Sequence, residues 1–125
     1  MKALFLILSL SGLCGIALAE QNTVLLAASH ALKMLTLDTV EEGEVSIQIN
    51  VENSKCVTKK ATGSQYQRHF CQFEILMDDN SGDETVTCLK SCEINFFTKG
   101  SDLNTIERND AQAQVCIENL AEGCN

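Results

Sequence analysis

The chain has 125 residues, a formal net charge of −8 and no proline or tryptophan. Its acidic balance disfavours nucleic acid and anionic membranes as partners, because both carry negative charge themselves. The length suits one small domain with a modest core, in which covalent cross-links matter for stability.

Residues 1–19 have the composition of a secretory signal peptide. Lys2 supplies the basic start, an apolar run follows, and the small residues Ala17 and Ala19 predict cleavage after Ala19. The apolar run is interrupted by serine and glycine and is shorter than the ~20 residues of a membrane span. We therefore predict a secreted, extracellular protein that does not insert into a membrane.

The next two segments predict a helix followed by a long strand. Within Val24–Thr39, apolar residues recur at helical spacing on one face: Leu25, Ala28, Leu32 and Leu35. Within Gly43–Lys59, apolar and polar residues alternate as in a half-buried strand, and the apolar set is Val45, Ile47, Ile49 and Val51.

The segment Phe70–Cys92 predicts a β-hairpin with a cysteine in each arm. The apolar residues of the first arm alternate with polar ones: Cys71, Phe73, Ile75 and Met77. The second arm and its continuation place one apolar set on a single face, interrupted by Lys90: Val86, Cys88, Cys92, Ile94 and Phe96. Between the arms, we expect Asn80, Ser81 and Gly82 to adopt the left-handed conformations of a tight reversal.

Cys14 leaves with the predicted signal peptide, and the other cysteines form an even set. In an oxidising compartment this set predicts three disulfides, formed by Cys56, Cys71, Cys88, Cys92, Cys116 and Cys124. A Cys88–Cys92 bond is disfavoured because same-face residues four apart on a strand lie ~13 Å from each other. Near the end of the chain, Asn109–Ala121 predicts a short helix that ends before Gly123.

The order of a helix, a long strand and a cysteine-bearing hairpin resembles the cystatin superfamily, in particular its secreted, type 2 members. The most similar strings are Asn53–Lys59, Phe70–Ile75 and Leu89–Cys92, and the likeness covers roughly Val24–Cys92. The resemblance implies an α+β fold, with one helix packed on a twisted antiparallel sheet of about four strands and stabilised by disulfides. We expect residues 20–100 to form this cystatin-like domain and residues 101–125 to form an extension that disulfides tie back to it.

The resemblance also implies a disulfide between Cys71 and Cys92, which would join the two arms of the hairpin. Cys56 lacks the nearby second cysteine of the family, since none occurs in Thr58–His69. We therefore expect Cys56 to pair with Cys88 or with one of the two C-terminal cysteines.

Inhibitory cystatins insert a largely uncharged wedge into the cleft of a papain-like cysteine protease. The resemblance implies that Thr39, Val40, Glu41, Glu42 and Gly43 correspond to its first loop, and Asn80, Ser81 and Gly82 to its second. Glu41 replaces the valine of the first loop, and the second loop lacks the tryptophan. Burying an unpaired carboxylate is costly, so ordinary inhibition by this route is not expected.

Other chemistry has little support in the sequence. The acidic turn does not match an EF-hand, because Gly82 falls at the fifth rather than the sixth position of the loop. His69 beside Cys71 could act as base and nucleophile only with a free thiol, which an even cysteine set disfavours. The basic residues Lys55, Lys59, Lys60 and Arg68 are interpreted as ordinary surface. We predict no enzymatic activity, metal or cofactor.

The sequence favours a secreted, non-enzymatic, monomeric protein that binds another protein, compatible with a role as a toxin in a venom or as a component of another secretory fluid. The alternative is an inhibitor of a papain-like cysteine protease that tolerates a charged first loop. A host-defence precursor of the cathelicidin type is disfavoured, because residues 109–125 contain no lysine or arginine to form a cationic peptide.

Overall fold

The computed structural model describes residues 22–40, 44–60 and 63–124. In this part, helix α1 covers residues 22–39 and helix α2 is Asp110–Ala121. Between them lie four antiparallel strands in the sheet order β1-β2-β3-β4: β1 is Val45–Lys60, β2 is Tyr66–Asp79, β3 is Val86–Lys99 and β4 is Asp102–Arg108. The predicted combination of helix and four-stranded antiparallel sheet is confirmed, and so is the short helix predicted over Asn109–Ala121, which is α2 with Asn109 as its N-cap. The predicted signal peptide and Glu41–Gly43 lie outside the described residues.

One face of the sheet carries the hydrophobic core. Alternate residues of β2 and β3 are buried there, and the rings of Phe73 and Phe96 meet edge to face with centroids 6.2 Å apart. Both helices contribute to the same core, through Val24, Leu25, Ala28 and Leu32 of α1 and Ala113, Cys116 and Leu120 of α2. The predicted parity of the hairpin is confirmed, except that Val86 at the start of β3 is 49% exposed.

The opposite side of the sheet, called here the open face, carries the even-numbered residues of β2 and the odd-numbered residues of β3. In the described part of the chain no helix packs over it, since the buried residues of both helices belong to the core side. No helix among the described residues is long and apolar enough to cross a membrane.

A bulge divides β1 and breaks the regular alternation predicted for this strand. Asn50 pairs with Glu74, whereas Lys55 pairs with Gln72. Residues 51–54 therefore face a single partner position, and the strand gains residues that its neighbour does not match.

Ser54 fills the gap that the bulge leaves in the ladder. Its hydroxyl donates to the carbonyl of Asn50 (2.7 Å) and accepts from the N–H of Glu74 (2.9 Å). The side chains change faces across the bulge, so that Ser54 and Cys56 are buried. Val51, predicted to face the core, is 39% exposed for this reason.

The hairpin loop, residues 80–85, is wider than the tight reversal that the sequence predicts. The left-handed conformations predicted for Asn80, Ser81 and Gly82 are wrong, because the only described residues with positive φ are three glycines elsewhere in the chain. Side chains shape the loop instead. The carboxylate of Asp79 accepts from both the N–H (3.0 Å) and the hydroxyl (2.6 Å) of Ser81.

Three disulfides are present, as predicted, but the pairing implied by the resemblance is wrong. The bonds are Cys56–Cys71, Cys88–Cys124 and Cys92–Cys116. The last two attach the C-terminal segment to β3, as expected. The first contradicts both the Cys71–Cys92 staple and the partners expected for Cys56.

The register of the sheet explains the corrected pairing. Cys71 lies directly opposite Cys56 on β1, with a Cα–Cα distance of 4.0 Å. On β3 its partner is Ile94, so Cys92 occupies a diagonal position at a typical Cα separation of ~7–8 Å. That separation exceeds the usual reach of a disulfide. The wide hairpin loop thus shifts β3 by two residues from the register that a Cys71–Cys92 bond would need.

The segment expected as an extension supplies part of the sheet itself. Strand β4 pairs with the last residues of β3, and α2 lies beside the stretch of β3 that β4 leaves unpaired. There the side chain of Gln112 accepts from the N–H of Asn95 (2.6 Å), and Asn119 donates to the carbonyl of Ser91 (3.3 Å). Helix α2 thus covers a sheet edge that would otherwise be open to pairing with another strand.

Candidate functional site at the loop end and on the open face of the sheet

The second of the two segments that correspond by resemblance to the inhibitory loops lies at one end of the sheet, called here the loop end, in contact with Glu44. The N–H of Asn80 donates to the carbonyl of Glu44 over 2.7 Å, and the adjacent residues Val45 and Asp79 are paired across β1 and β2. The structure therefore brings the second loop next to the residue that follows the first.

The first-loop segment begins inside α1. Thr39 is the last helical residue, and its hydroxyl donates to the carbonyl of Leu35 (2.7 Å). The N–H of Val40 donates to the carbonyl of Thr36 (2.8 Å), which continues the helical pattern by one residue. Thr39 and Val40 therefore end a helix, and Glu41–Gly43 lie outside the described residues.

Asp79 ties the second loop to the C-terminal segment. One of its oxygens accepts from Ser81, and the other accepts from the N–H of Cys124 (3.1 Å). These hydrogen bonds, led by the one from the Ser81 hydroxyl, lower the pKa of Asp79 because they favour the charged carboxylate. The neighbouring Gly123 has a φ of +72°, and a Cβ there would overlap Oδ2 of Asp79. Only glycine fits this position without a shift of the carboxylate.

The tip of the second loop is polar and exposed. Asn80, Ser81 and Gly82 are all exposed, and so are Asp83 and Glu84, which follow them. An interface that covered this tip would remove carboxylates from water without the aromatic anchor that commonly dominates such interfaces. The loop end therefore presents an acidic, hydrated surface.

The candidate pair of His69 and Cys71 does not form a nucleophile and base. Cys71 is bonded to Cys56. His69 is 1% exposed, and its ring nitrogens lie 2.7 Å from the hydroxyl of Thr58 and 2.8 Å from that of Thr98. Burial lowers the pKa of His69, because the charged imidazolium is poorly solvated inside the protein. The imidazole is a structural bridge across three strands.

A second surface, which the sequence interpretation missed, lies on the open face. Four side chains form it, and we call them the cation–ring cluster: Lys59, Arg68, Phe70 and Phe97. The ammonium of Lys59 lies 5.4 Å from the centroid of Phe70. The guanidinium of Arg68 lies 5.9 Å from the centroid of Phe70 and 5.6 Å from that of Phe97. All three distances are within the range of cation–π attraction.

The cluster combines solvent-accessible charge with partly covered rings. Lys59 and Arg68 are exposed, whereas Phe70 and Phe97 are half-buried. Val57, opposite Phe70 on β1, adds an apolar side chain that is 45% exposed. Among the described residues, neither cation of the cluster forms an ion pair with a carboxylate. The N–H donors of the two cations and the exposed apolar area beside them are therefore available to another molecule.

A signal for the cluster is present in the sequence. Lys55, Val57 and Lys59 alternate along β1, and Arg68 and Phe70 alternate along β2, so each set shares one face of its strand. What the sequence does not give is the register that aligns Arg68 with both Lys59 and Phe97. Interpreted without that register, the lysines are ordinary surface.

Comparison of the chain with models of known protein families, with curated proteins and with solved structures gives no match. Within the part of the chain that the structure describes, no three His, Cys, Asp or Glu side chains are grouped so that they could hold a metal ion.

Proposed function

We propose that this chain is a secreted, non-enzymatic binding protein on a cystatin-like scaffold, and that it contacts another protein through the open face of its sheet. The observation that carries the proposal is that the guanidinium of Arg68 lies within cation–π distance of two rings, 5.9 Å from Phe70 and 5.6 Å from Phe97. Arginine and large aromatic side chains are enriched in the centres of protein interfaces, where a few of them supply most of the affinity.

The scaffold supports this proposal because it holds the surface in one arrangement. The Cys56–Cys71 bond joins β1 to β2 directly behind the cluster, and the other two bonds fix β3 to the C-terminal segment. A surface that is ordered before binding loses less conformational entropy when a partner docks. Three disulfides also fit an oxidising, extracellular setting, such as a venom or another secretory fluid.

A selection from a displayed library of random dodecapeptides on the folded protein tests the use of the open face. Enriched peptides are then measured by biolayer interferometry against wild type, Phe97→Ser and the matched control Leu89→Ser. Leu89 is also on the open face and 62% exposed, but it lies near the opposite end of β3. We expect binding to be lost in Phe97→Ser and kept in Leu89→Ser. Equal binding to all three proteins would contradict the proposal.

The alternative function is inhibition of a papain-like cysteine protease through the loop end. The contact between Asn80 and Glu44 favours it, because both loop segments must approach the same cleft at once. The exposed acidic tip of the second loop argues against it, because a protease cleft would remove these carboxylates from water. The corrected pairing of Cys71 also weakens the resemblance from which this alternative comes.

A further inference from the structure

We propose that the cation–ring cluster binds an acidic, extended segment of a partner protein, in which a carboxylate and an apolar side chain alternate on one side. This inference rests on the proposed function, since it assigns the chemistry of the partner that the open face would take.

The charge of the open face favours an acidic partner. The chain carries nine lysines and arginines and a net charge of −8. Four of these cations project from the open face around the cluster, namely Lys55, Lys59, Arg68 and Lys99. Three carboxylates of β3 and β4 lie on the same face, namely Glu93, Asp102 opposite Lys99, and Glu107; the side chain of Gln72 donates to Glu93 (2.8 Å). A basic area on an otherwise acidic protein steers acidic partners towards it.

The spacing of the cluster matches that of alternate side chains in an extended peptide. Lys59, Arg68 and Phe97 form one row across three strands, and Val57 and Phe70 belong to the next row, two residues along each strand. Two residues of a strand span ~7 Å. A peptide in extended conformation has the same distance between alternate side chains. Its carboxylate can therefore meet Arg68 while the next side chain on that side meets Phe70.

The position of the Arg68 guanidinium favours a carboxylate as its partner. Cation–π contact with two rings favours one position of the guanidinium, while its N–H donors have no hydrogen-bond partner among the described residues. A planar guanidinium can hold a carboxylate through two parallel N–H···O bonds, and less freedom is lost when the group is already held. The half-buried rings beside it favour a peptide over a sulfated polysaccharide, because a polysaccharide would leave that apolar area uncovered.

The test uses a capped nonapeptide in which glutamate and phenylalanine alternate at every second position, with serine between them. It is titrated into the uniformly ¹⁵N-labelled, disulfide-bonded protein, and amide shifts are followed by NMR. We expect shifts centred on Arg68, Phe70 and Phe97. Arg68→Gln and Lys59→Gln should each weaken binding roughly fivefold, the size of one well-formed surface ion pair.

The matched control variant is Arg108→Gln, which removes the same charge from a residue outside the cluster, paired at 3.7 Å with Asp110. It should change affinity by less than about twofold. The control peptide has glutamine in place of each glutamate and should bind more weakly than the acidic one.

Several results would overturn the inference. These are shifts confined to residues 80–85, equal loss of binding in Arg68→Gln and Arg108→Gln, and equal affinity for the two peptides. A heparin dodecasaccharide that binds the cluster while the acidic peptide does not would also overturn it. If the library selection instead yields non-acidic peptides that require Phe97, the open face remains the binding surface and only the acidic partner is excluded.

Discussion

The Nε2 atom of His69 donates a hydrogen bond to the hydroxyl of Thr98 across 2.8 Å, and this contact fixes the tautomer of a buried imidazole. The hydroxyl of Thr98 donates its own proton to the carbonyl of Gly100 (2.7 Å), so it can only accept from His69. The other ring nitrogen, Nδ1, then accepts from the hydroxyl of Thr58 (2.7 Å). The neutral ring is fully satisfied, and protonation of Nδ1 would require the hydroxyl of Thr58 to rotate and accept instead of donate.

The protein is therefore expected to lose stability as the pH falls below about 6.5, the ordinary pKa of histidine. Burial lowers the pKa of His69 in the folded state. As the pH falls, the unfolded chain therefore takes up the proton first, which stabilises the unfolded state relative to the folded one. The contribution of the neutral His69 to the free energy of unfolding is fully present above pH ~6.5, and it decreases as the pH falls towards the folded-state pKa. Thermal unfolding followed by circular dichroism between pH 8 and 5 measures this slope.

His69→Gln serves as the control, because an amide can also donate to one hydroxyl and accept from the other without titrating. Its unfolding temperature should change less with pH across the same range. Asp79 does not interfere, because its pKa is lowered from the ordinary carboxyl value and its effect falls at still lower pH. An unchanged slope in His69→Gln would show that another group titrates.

Ser54→Ala is expected to destabilise the bulge of β1. The substitution removes the hydroxyl that bonds Asn50 and Glu74, and it leaves a partly buried carbonyl and N–H without that partner. Such a loss costs about 1–3 kcal/mol. Urea unfolding compares it with Ser46→Ala, an exposed serine on the same strand before the bulge, which should stay within about 0.5 kcal/mol of wild type. Equal effects of the two variants would contradict the role given to Ser54.

The bulge also marks where sequence periodicity stops being informative. The parity of the hairpin was predictable because Phe73, Ile75 and Ile94 lie in uninterrupted ladders. Val51 was mispredicted because it belongs to residues 51–54, which face a single position of β2 and so move the rest of β1 to the other parity. Nothing in the alternation of this strand shows that Ser54 replaces a ladder bond.

The disulfides and the candidate site depend on register in the same way. Six cysteines predict three bonds, but the Cys71 partner depends on a two-residue offset that the hairpin loop sets. That loop is shaped by the Asp79 side chain, not by glycine conformations. The cation–ring cluster needs the same register to bring Arg68 beside Phe97. Local patterns therefore give the elements, while long-range side-chain contacts decide which residues meet.

Gly123→Ala is expected to cost more stability than Gly63→Ala, although both glycines have a similar positive φ, +72° and +79°. A positive φ costs any other residue about 1–2 kcal/mol. At Gly63 nothing lies within 4 Å of an added Cβ, whereas at Gly123 the Cβ displaces the carboxylate of Asp79. The difference in unfolding free energy between the two variants isolates the second effect. An equal cost would mean that Asp79 moves aside freely.

Peptide mapping without reduction is expected to recover Cys56 linked to Cys71. Digestion with trypsin and a glutamate-specific protease separates Cys71 from Cys88, because Glu74 lies between them. Replacing Cys56 and Cys71 together by alanine should lower stability by about 2–4 kcal/mol, the usual range for such a bond. A Cys71–Cys92 fragment would contradict the register of the hairpin and restore the pairing that the cystatin resemblance implies.

Finally, the purified, disulfide-bonded protein is expected not to inhibit papain at micromolar concentration. The second loop presents the exposed polar residues Asn80, Ser81 and Gly82, with Asp83 and Glu84 beside them. Entry into a protease cleft would desolvate these carboxylates, and no aromatic side chain is present to offset that cost with the ~2 kcal/mol of a typical anchor.

A graft separates the role of the loops from that of the scaffold. Thr39→Gln and Glu41→Val, combined with a Pro-Trp insertion in the second loop, should produce measurable inhibition of papain, because Asn80 already lies against Glu44 at the loop end. The matched control carries a Pro-Ser insertion at the same point and should remain inactive. Nanomolar inhibition by the unmodified protein would favour the protease-inhibitor alternative over binding through the open face. A graft that folds but stays inactive would show that the loop end does not have the wedge geometry that the cystatin resemblance implies.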